Sequence, residues 1–398
     1  MRRLVLLAVL APAVASATPA RNTGTVEGAV VATQSRWTHD GSRIVTAATV
    51  RTATGDVVVS QLGGTVDGLT MRTFPGPEPL AIGMHVAVGT HEALDLDNRM
   101  HLLADDVRVA KAQPEPAGFV RTGPTKAGQY LFWESGCVYV TISPEGTRQV
   151  LGDDELEAID ASIAEWNNGI AGCSYMNIVT ERPSGSPIEV GRDNRNLIKF
   201  RDESWCRPAT KDDPMRCYSP SAAGLTTAVF VDDASSDRDG ALVDADIELN
   251  GHDFATSHLG ETSGTADCQS EITNTLTHEL GHLLGLEHPC LATGDPPRVD
   301  GAGNPVPTCN AAMSNPKIVN ATMFNFQSCG ELDKASLSDD DVAGVCAIYP
   351  IEDDPGSCSP VVSHTGCCSA SAAPYPSTVL LGGFVLFGLL RRRRTISS

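Results

Sequence analysis

The eleven residues His278-Glu279-Leu280-Gly281-His282-Leu283-Leu284-Gly285-Leu286-Glu287-His288 constrain the fold more than any other stretch. His278 and His282 are four apart. On an α-helix that spacing rotates two side chains by about 40° and separates them by about 6 Å along the axis, so two imidazoles can converge on one ion. Ile272, Leu276, Leu280 and Leu283 recur on the opposite face, a stripe suited to packing on a core. The histidines therefore look into a cleft. His288 follows His282 by six residues and on a continuous helix would stand about 240° round the axis, out of reach. The helix has to stop first. Gly285 supplies the stop, because glycine tolerates the left-handed conformation that reverses a chain at a helix end. Pro289 then biases His288 towards an extended backbone. The expectation is a three-histidine site of His278, His282 and His288 with a fourth position open, the form a catalytic zinc takes. Glu279 lies beside the pair and is long enough to reach a water held there. With 10 His and 37 Gly in 398 residues, this pattern arises by accident with a probability on the order of 10⁻⁵ to 10⁻⁴. Two solvent-facing histidines on a surface helix is therefore the weaker reading.

A chain of 398 residues has room for two or three domains. Residues 22–112 hold no Cys and show short runs rich in Val, Thr and Ile: Thr25–Ala32, Arg43–Arg51, Asp56–Leu62 and His85–Val88. Turn signals such as Asp40-Gly41, Gly63-Gly64, Asp67-Gly68 and Pro75-Gly76-Pro77 separate them. This predicts a small all-β barrel or sandwich, OB-like or SH3-like, with no catalytic constellation. His85, His91 and His101 read as ordinary histidines. Residues 113–128 are rich in Pro and Gly, as linkers are. Residues 129–350 form a second domain of α+β character: a strand over Cys137–Ile142, an amphipathic helix over Asp153–Asn168 ended by Gly169, strands over Tyr175–Thr180, Thr226–Val231 and Val243–Leu249, then the histidine helix.

The ends read differently. Residues 1–17 have the three regions of a secretory signal peptide: Arg2 and Arg3, an apolar run from Leu4 to Val14, and Ala15-Ser16-Ala17. A Cys-containing linker, 351–376, leads to a short apolar segment, 377–394, that closes on Arg391-Arg392-Arg393-Arg394. Cys367-Cys368, the apolar span and the arginines together resemble the C-terminal sorting tails of myxobacterial surface proteins. That resemblance implies an exported protein, secreted or on the envelope of a Gram-negative bacterium, that touches membrane only through this segment; a plain anchor is the alternative. The formal charge is −20. Without the six arginines of the two ends, 23 basic residues face 49 acidic ones, which excludes a nucleic-acid partner for want of a basic face. Twelve cysteines behind an export signal predict disulfides. Cys137–Cys173 and Cys206–Cys217 are the pairs expected first, and nine cysteines between Cys137 and Cys346 leave one without a partner among themselves.

The extended motif H-E-x-x-H-x-x-G-x-x-H resembles that of metzincin metallopeptidases. The resemblance covers roughly Gln129 to Pro350 and is strong only in the zinc motif. It implies a metzincin-like catalytic domain with one zinc on the three histidines, Glu279 as catalytic base, and a methionine turn, for which Met323 is preferred to Met313. The segment from Met323 to Tyr349 is similar to the closing turn and last helix of the matrixin branch. Ala245-Asp246-Ile247-Glu248-Leu249-Asn250 resembles the matrixin edge strand that pairs with an extended substrate, which would put Ile247 and Leu249 along the substrate. The chain departs from the family at Pro289, at Asn325 where some members carry a tyrosine ligand, and in having no Cys between Ala17 and Cys137 for a cysteine switch.

His252, Asp253 and His258 are only a fragment of a second zinc site. Asp232, Asp233, Asp237, Asp239, Asp244 and Asp246 form an acidic cluster. Calcium is an option there because hard cations take carboxylate oxygens, although a solvated acidic loop is the commoner cause. The expected function is a zinc-dependent endopeptidase acting on protein or peptide substrates. The alternatives are a catalytically weak surface adhesion or binding protein and a zinc hydrolase of a non-peptide substrate.

Overall fold

The computed structural model describes residues 22–52, 54–74, 76, 79–109 and 118–360. The segments expected to be a signal peptide and a C-terminal apolar tail lie outside these residues. Among the described residues no helix is long and apolar enough to cross a membrane.

The chain is mostly β. Strands β1 (Asn22–Trp37), β2 (Ile44–Thr52) and β3 (Gly55–Leu62) run as a meander. A hairpin of β4 (Gly64–Val66) and β5 (Leu69–Phe74) follows, then β6 (His85–Leu94) and β7 (Met100–Val109). Five of the seven close into a barrel in the order β1-β2-β3-β7-β6. Val30, Ala48, Val50, Val59, Val86 and Val88 fill its interior. Their alternation along the strands is the period-2 signal of one buried face. The closed barrel, not the sandwich, is thus what β1, β2, β3, β6 and β7 form. β4 and β5 leave it altogether.

Strand β8 (Val120–Arg121) lies in the stretch expected to be a linker. The second unit continues with β9 (Cys137–Ile142), α1 (Asp154–Ile170), β10 (Asn177–Glu181), β11 (Asn196–Phe200), the short β12 (Cys206–Arg207) and β13 (Arg216–Cys217), then β14 (Gly224–Val231) and β15 (Leu242–Leu249). After these come β16 (Ala255–Ser257), β17 (Gln269–Glu271), α2 (Ile272–Leu283), β18 (Leu286–Glu287), α3 (Cys309–Ala312), α4 (Pro316–Val319) and α5 (Asp339–Ile348). The main sheet has seven strands in the order β10-β9-β11-β15-β14-β5-β4. β10, β9, β11 and β15 are parallel; β14, β5 and β4 alternate antiparallel. Helix α1 is the crossover between the parallel pair β9 and β10, which no short turn could join. Its buried face, Ala158, Ile159, Ile163, Trp166 and Ile170, shares one core with Ile272, Leu276, Leu280 and Leu283 of α2. Gly169 does not end α1. Its missing side chain makes room for Leu337, whose Cδ1 would stand 2.7 Å from a Cβ there.

The structure corrects three expectations. β15 is an interior strand: Ile247 opposes Ile198 of β11 on one side and Thr226 of β14 on the other. Neither Ile247 nor Leu249 can offer a free backbone edge to a peptide. Cys137 pairs with Cys358, not Cys173, because the chain after α5 returns to β9, where Gly136 N–H donates to Ser357 O at 2.8 Å. Cys173 instead meets Cys346 on α5. Cys358 is therefore the partner that the nine upstream cysteines lacked, and the folded unit runs past Pro350. Cys206–Cys217 forms as expected, between residues directly opposed in the β12–β13 pair, and Cys268–Cys329 and Cys290–Cys309 complete five disulfides.

Candidate metal centre

Helix α2 ends where its sequence requires. Gly285 takes φ +95°, and Gly285 N–H donates to His282 O at 3.0 Å. The carbonyls that a helix end orphans are claimed by buried side chains: Trp133 Nε1 donates to Leu283 O at 2.7 Å and Tyr349 Oη to Leu284 O at 3.0 Å. The chain then enters β18, which pairs with β8 and delivers His288 back to the helix.

His278, His282 and His288 come together, and all three are buried. Nε2 of His288 is 3.2 Å from Nε2 of His278 and 3.2 Å from Nε2 of His282. Two nitrogens each about 2.0–2.1 Å from a tetrahedral ion stand roughly 3.3–3.4 Å apart, so the donor set fits zinc. The opposite ring nitrogens of the helical pair are committed elsewhere. Nδ1 of His278 donates to Thr322 O at 2.7 Å, and Nδ1 of His282 to Leu286 O at 2.9 Å. Those bonds fix the tautomer that leaves Nε2 with its lone pair turned to the common point. Burial, and the neighbouring histidines, push His278 and His288 well below the ordinary imidazole range, so they stand neutral, as metal ligands must.

Glu279 is buried beside them, and its Oε2 accepts from Thr226 Oγ1 at 2.7 Å. Burial raises its carboxyl to about 8, with the Thr226 bond acting in the other direction. Beneath the helix lies Met323, 2 % exposed, against Gly281; Met313 is 60 % exposed and remote from any such role. The backbone just before Met323 is held as well. Thr322, whose carbonyl orients His278, donates its N–H to Asp341 Oδ2 at 2.7 Å.

The sequence offered no pointer to Thr226, Thr322 or Asp341, because each acts through a partner remote in the chain. The same holds for the charge network around Glu287. Arg298 Nη1 lies 3.0 Å and Arg72 Nη2 3.6 Å from Glu287 Oε2. Burial opposes ionisation of Glu287, and the two guanidiniums outweigh it and hold the carboxyl below its usual range. These groups line a cavity of about 890 Å³ that reaches His278, Glu279 and His288.

The other candidate ligands do not assemble. His252 pairs with Asp253, while His258 Nδ1 lies 3.7 Å from Glu271 Oε1. Asp232 is taken by Lys126, Asp239 by Thr125 and the Asp233 N–H, Asp246 by the backbone of Gly191 and Leu197. Among the described residues the three histidines are the only group of three or more His, Cys, Asp or Glu side chains near enough to share an ion. His101 bonds Asp95 at 3.1 Å, and His91 lines the far wall of the cavity. No protein-family model matches the chain, and no curated protein is significantly similar to it.

Proposed function

We propose that the chain is an exported zinc-dependent endopeptidase whose second unit is a metzincin-like domain of the matrixin branch. The observation that carries this is the convergence of three neutral, buried imidazoles with the Glu279 carboxylate one residue along the same helix. His278, His282 and His288 would hold a zinc ion, which when bound would supply a Lewis acid able to lower the pKa of water and polarise a carbonyl. Glu279 takes the proton of the attacking water and returns it to the leaving amine. A neighbouring dication would draw its carboxyl down from the raised value, towards the range a general base needs. Thr226 holds the carboxylate in place, and Thr322 and Leu286 hold the two helical imidazoles. Five disulfides suit an oxidising compartment outside the cytoplasm.

The test is a pair of substitutions. His282→Ala should lose a zinc that the parent holds at about one per chain by elemental analysis. Glu279→Ala should keep the zinc and lose casein cleavage by roughly 10²–10⁴-fold. Full zinc in the first variant, or near-parental cleavage by the second, overturns the assignment.

A further inference from the structure

Two of the three converging histidines are braced from the first half of the chain. β5 interrupts the barrel between β3 and β6 and lies antiparallel on β14 in continuous register, from Leu69 opposite Val231 to Phe74 opposite Thr226. Successive side chains of a strand point to opposite faces. Met71 packs with Ile44 and Val229 on one face, and Arg72 and Phe74 project from the other. The Phe74 ring stacks on His282 at 5.5 Å between centroids and 19° between planes. The rings of His278 and His288 meet His282 edge-on, at 85° and 76°. His282 also donates Nδ1–H to Leu286 O, a bond that fixes its tautomer but leaves the ring free to tilt about the line of the bond. Phe74, 1 % exposed, packs on the face towards which that tilt would move. Arg72 lies over the Phe74 ring at 4.7 Å, and its Nη2 is 3.6 Å from Glu287 Oε2. The other oxygen of that carboxylate accepts from the His288 backbone N–H at 3.0 Å. β5 thus bears on His282 through Phe74, and on His288 through Arg72 and Glu287. The cavity beside the histidines is lined by His278 and His288 but by neither His282 nor Phe74, so the stack supports its ligand from off the cavity.

We propose that Phe74 and Arg72 are positioning residues of the metal centre, so that the first half of the chain is a constituent of the site in the second. Each acts through another residue, Phe74 through the His282 ring and Arg72 through Glu287. An imidazole that can tilt holds its lone pair on the common point for only part of the time, and that freedom has to be lost when a metal binds. Packing against its face removes the freedom in advance. Losing a support of this kind weakens metal binding by about 10–100-fold. β5 is suited to the task because it is a strand held between β14 and β4, and sites built on strands are placed more precisely than sites on loops. The inference rests on the reading of the three histidines as a zinc site, and not on the cleavage of a peptide bond.

The experiment measures zinc affinity on the full chain by competition with a zinc-binding dye, and site geometry by the visible spectrum of cobalt bound in place of zinc. Phe74→Leu keeps an apolar side chain and removes the ring. It should weaken zinc binding by about 10–100-fold and alter the cobalt bands. Phe74→Tyr keeps a ring on His282 and should return both to near-parental values. Arg72→Met removes the charge that meets Glu287 and should weaken zinc binding by about tenfold. Val88→Ala, in the barrel interior, costs stability by leaving a cavity but touches neither support; its zinc affinity and cobalt spectrum should stay parental. Affinities are compared among chains that unfold cooperatively in denaturant when chelated. Should Phe74→Leu fail to fold, Arg72→Met carries the same test. Parental affinity with parental cobalt bands in the folded variant overturns the proposal. An equal fall in Val88→Ala also overturns it, by tracing the loss to stability alone. Proteolysis is read separately. A parent chain that binds zinc through His282 yet cuts nothing refutes the peptidase assignment and leaves Phe74 and Arg72 as supports of the centre. A parent that cuts casein, beside a Phe74→Leu chain of unchanged affinity and spectrum, refutes the supports alone.

Discussion

Gly281 lies inside the last turn of α2, where glycine is a poor helix former, and replacing it separates two opposing effects. On helix propensity alone Gly281→Ala should stabilise the protein by about 1 kcal/mol. Packing opposes that gain more strongly. A Cβ there would collide with Met323 Sδ and stand 3.1 Å from Met323 Cε and 3.2 Å from Trp166 Cζ2. Neither neighbour gives easily: Met323 is 2 % exposed, and the Trp166 indole is pinned by its bond to Thr277 O at 2.9 Å. Overpacking of this kind costs about 1–3 kcal/mol, so the net change is a loss of about 0–2 kcal/mol. The signature lies in the metal affinity. Met323 adjoins Thr322, the residue that orients His278. Moving it should weaken zinc binding by about 10–100-fold, the usual effect of disturbing a ligand's outer partner. Denaturant titration of the chelated protein measures the first quantity, and competition with a zinc-binding dye the second. A variant that gains about 1 kcal/mol and keeps parental zinc affinity would show that Met323 does not floor the site.

Other consequences are measured more simply. Thr226→Val removes the hydroxyl that bonds Glu279 Oε2 while keeping its shape; proteolysis should fall while zinc content holds, and equal activity would deny Thr226 a positioning role. Glu248, buried among Arg201, Arg207 and Tyr218, is held down at about 2 because the two arginines outweigh burial. Its folded pKa lies below the unfolded value of about 4.3, so it contributes roughly 3 kcal/mol above that pH, lost as pH falls towards 2. Glu248→Gln should flatten the acid limb of a stability-versus-pH curve between about pH 5 and 2, and an unchanged limb would refute the pairing. Non-reducing peptide mapping should recover Cys137 joined to Cys358 and Cys173 to Cys346; a Cys137–Cys173 peptide would contradict the return of the chain to β9.

What was legible in the sequence follows from how local the cause is. The end of α2 and the placing of His288 were readable because Gly285, Pro289 and the Leu stripe act within a dozen residues. β5 was not. Arg72 and Thr70 on one of its faces are buried against Glu287 and Asp232, so a strand buried on both sides carries the alternation of a half-exposed one, too short to outweigh Asp67-Gly68 and Pro75-Gly76-Pro77. Assigning the edge to β15 failed for a related reason. β14 and β15 are both buried along nearly all their length, and which of two such runs lies outermost is decided by strand order, which leaves no trace in either segment. The Cys137–Cys358 bridge spans 221 residues, too far for spacing along the chain to suggest it.

The contact between the barrel and the second unit bears on the seating of β5 and can be broken at one residue. Asp213 is completely buried between two guanidiniums, Arg43 of β2's approach at 3.1 Å and Arg216 of β13 at 2.8 Å. Arg216 continues to the barrel wall, where its Nη2 donates to Ser60 Oγ at 2.8 Å, and Arg43 Nη2 donates to Pro208 O at 2.7 Å. One carboxylate therefore compensates two buried cations, one from each unit. Asp213→Ala takes that counter-charge from both, and removing one member of such a cluster costs about 3–5 kcal/mol. The loss falls on the junction, not on the core of either unit, because the barrel interior and the α1–α2 core contain none of these residues. Since β5 is tethered at both ends to barrel strands, a loosened junction should release it from β14 before either unit unfolds. Hydrogen exchange at residues 69–74 and 224–231 should then rise well above that of α2 and of Val86 and Val88 in the barrel. If all of these accelerate together, the two units unfold as one and the barrel is not what seats the strand; if none does, Asp213 contributes nothing to holding the junction closed.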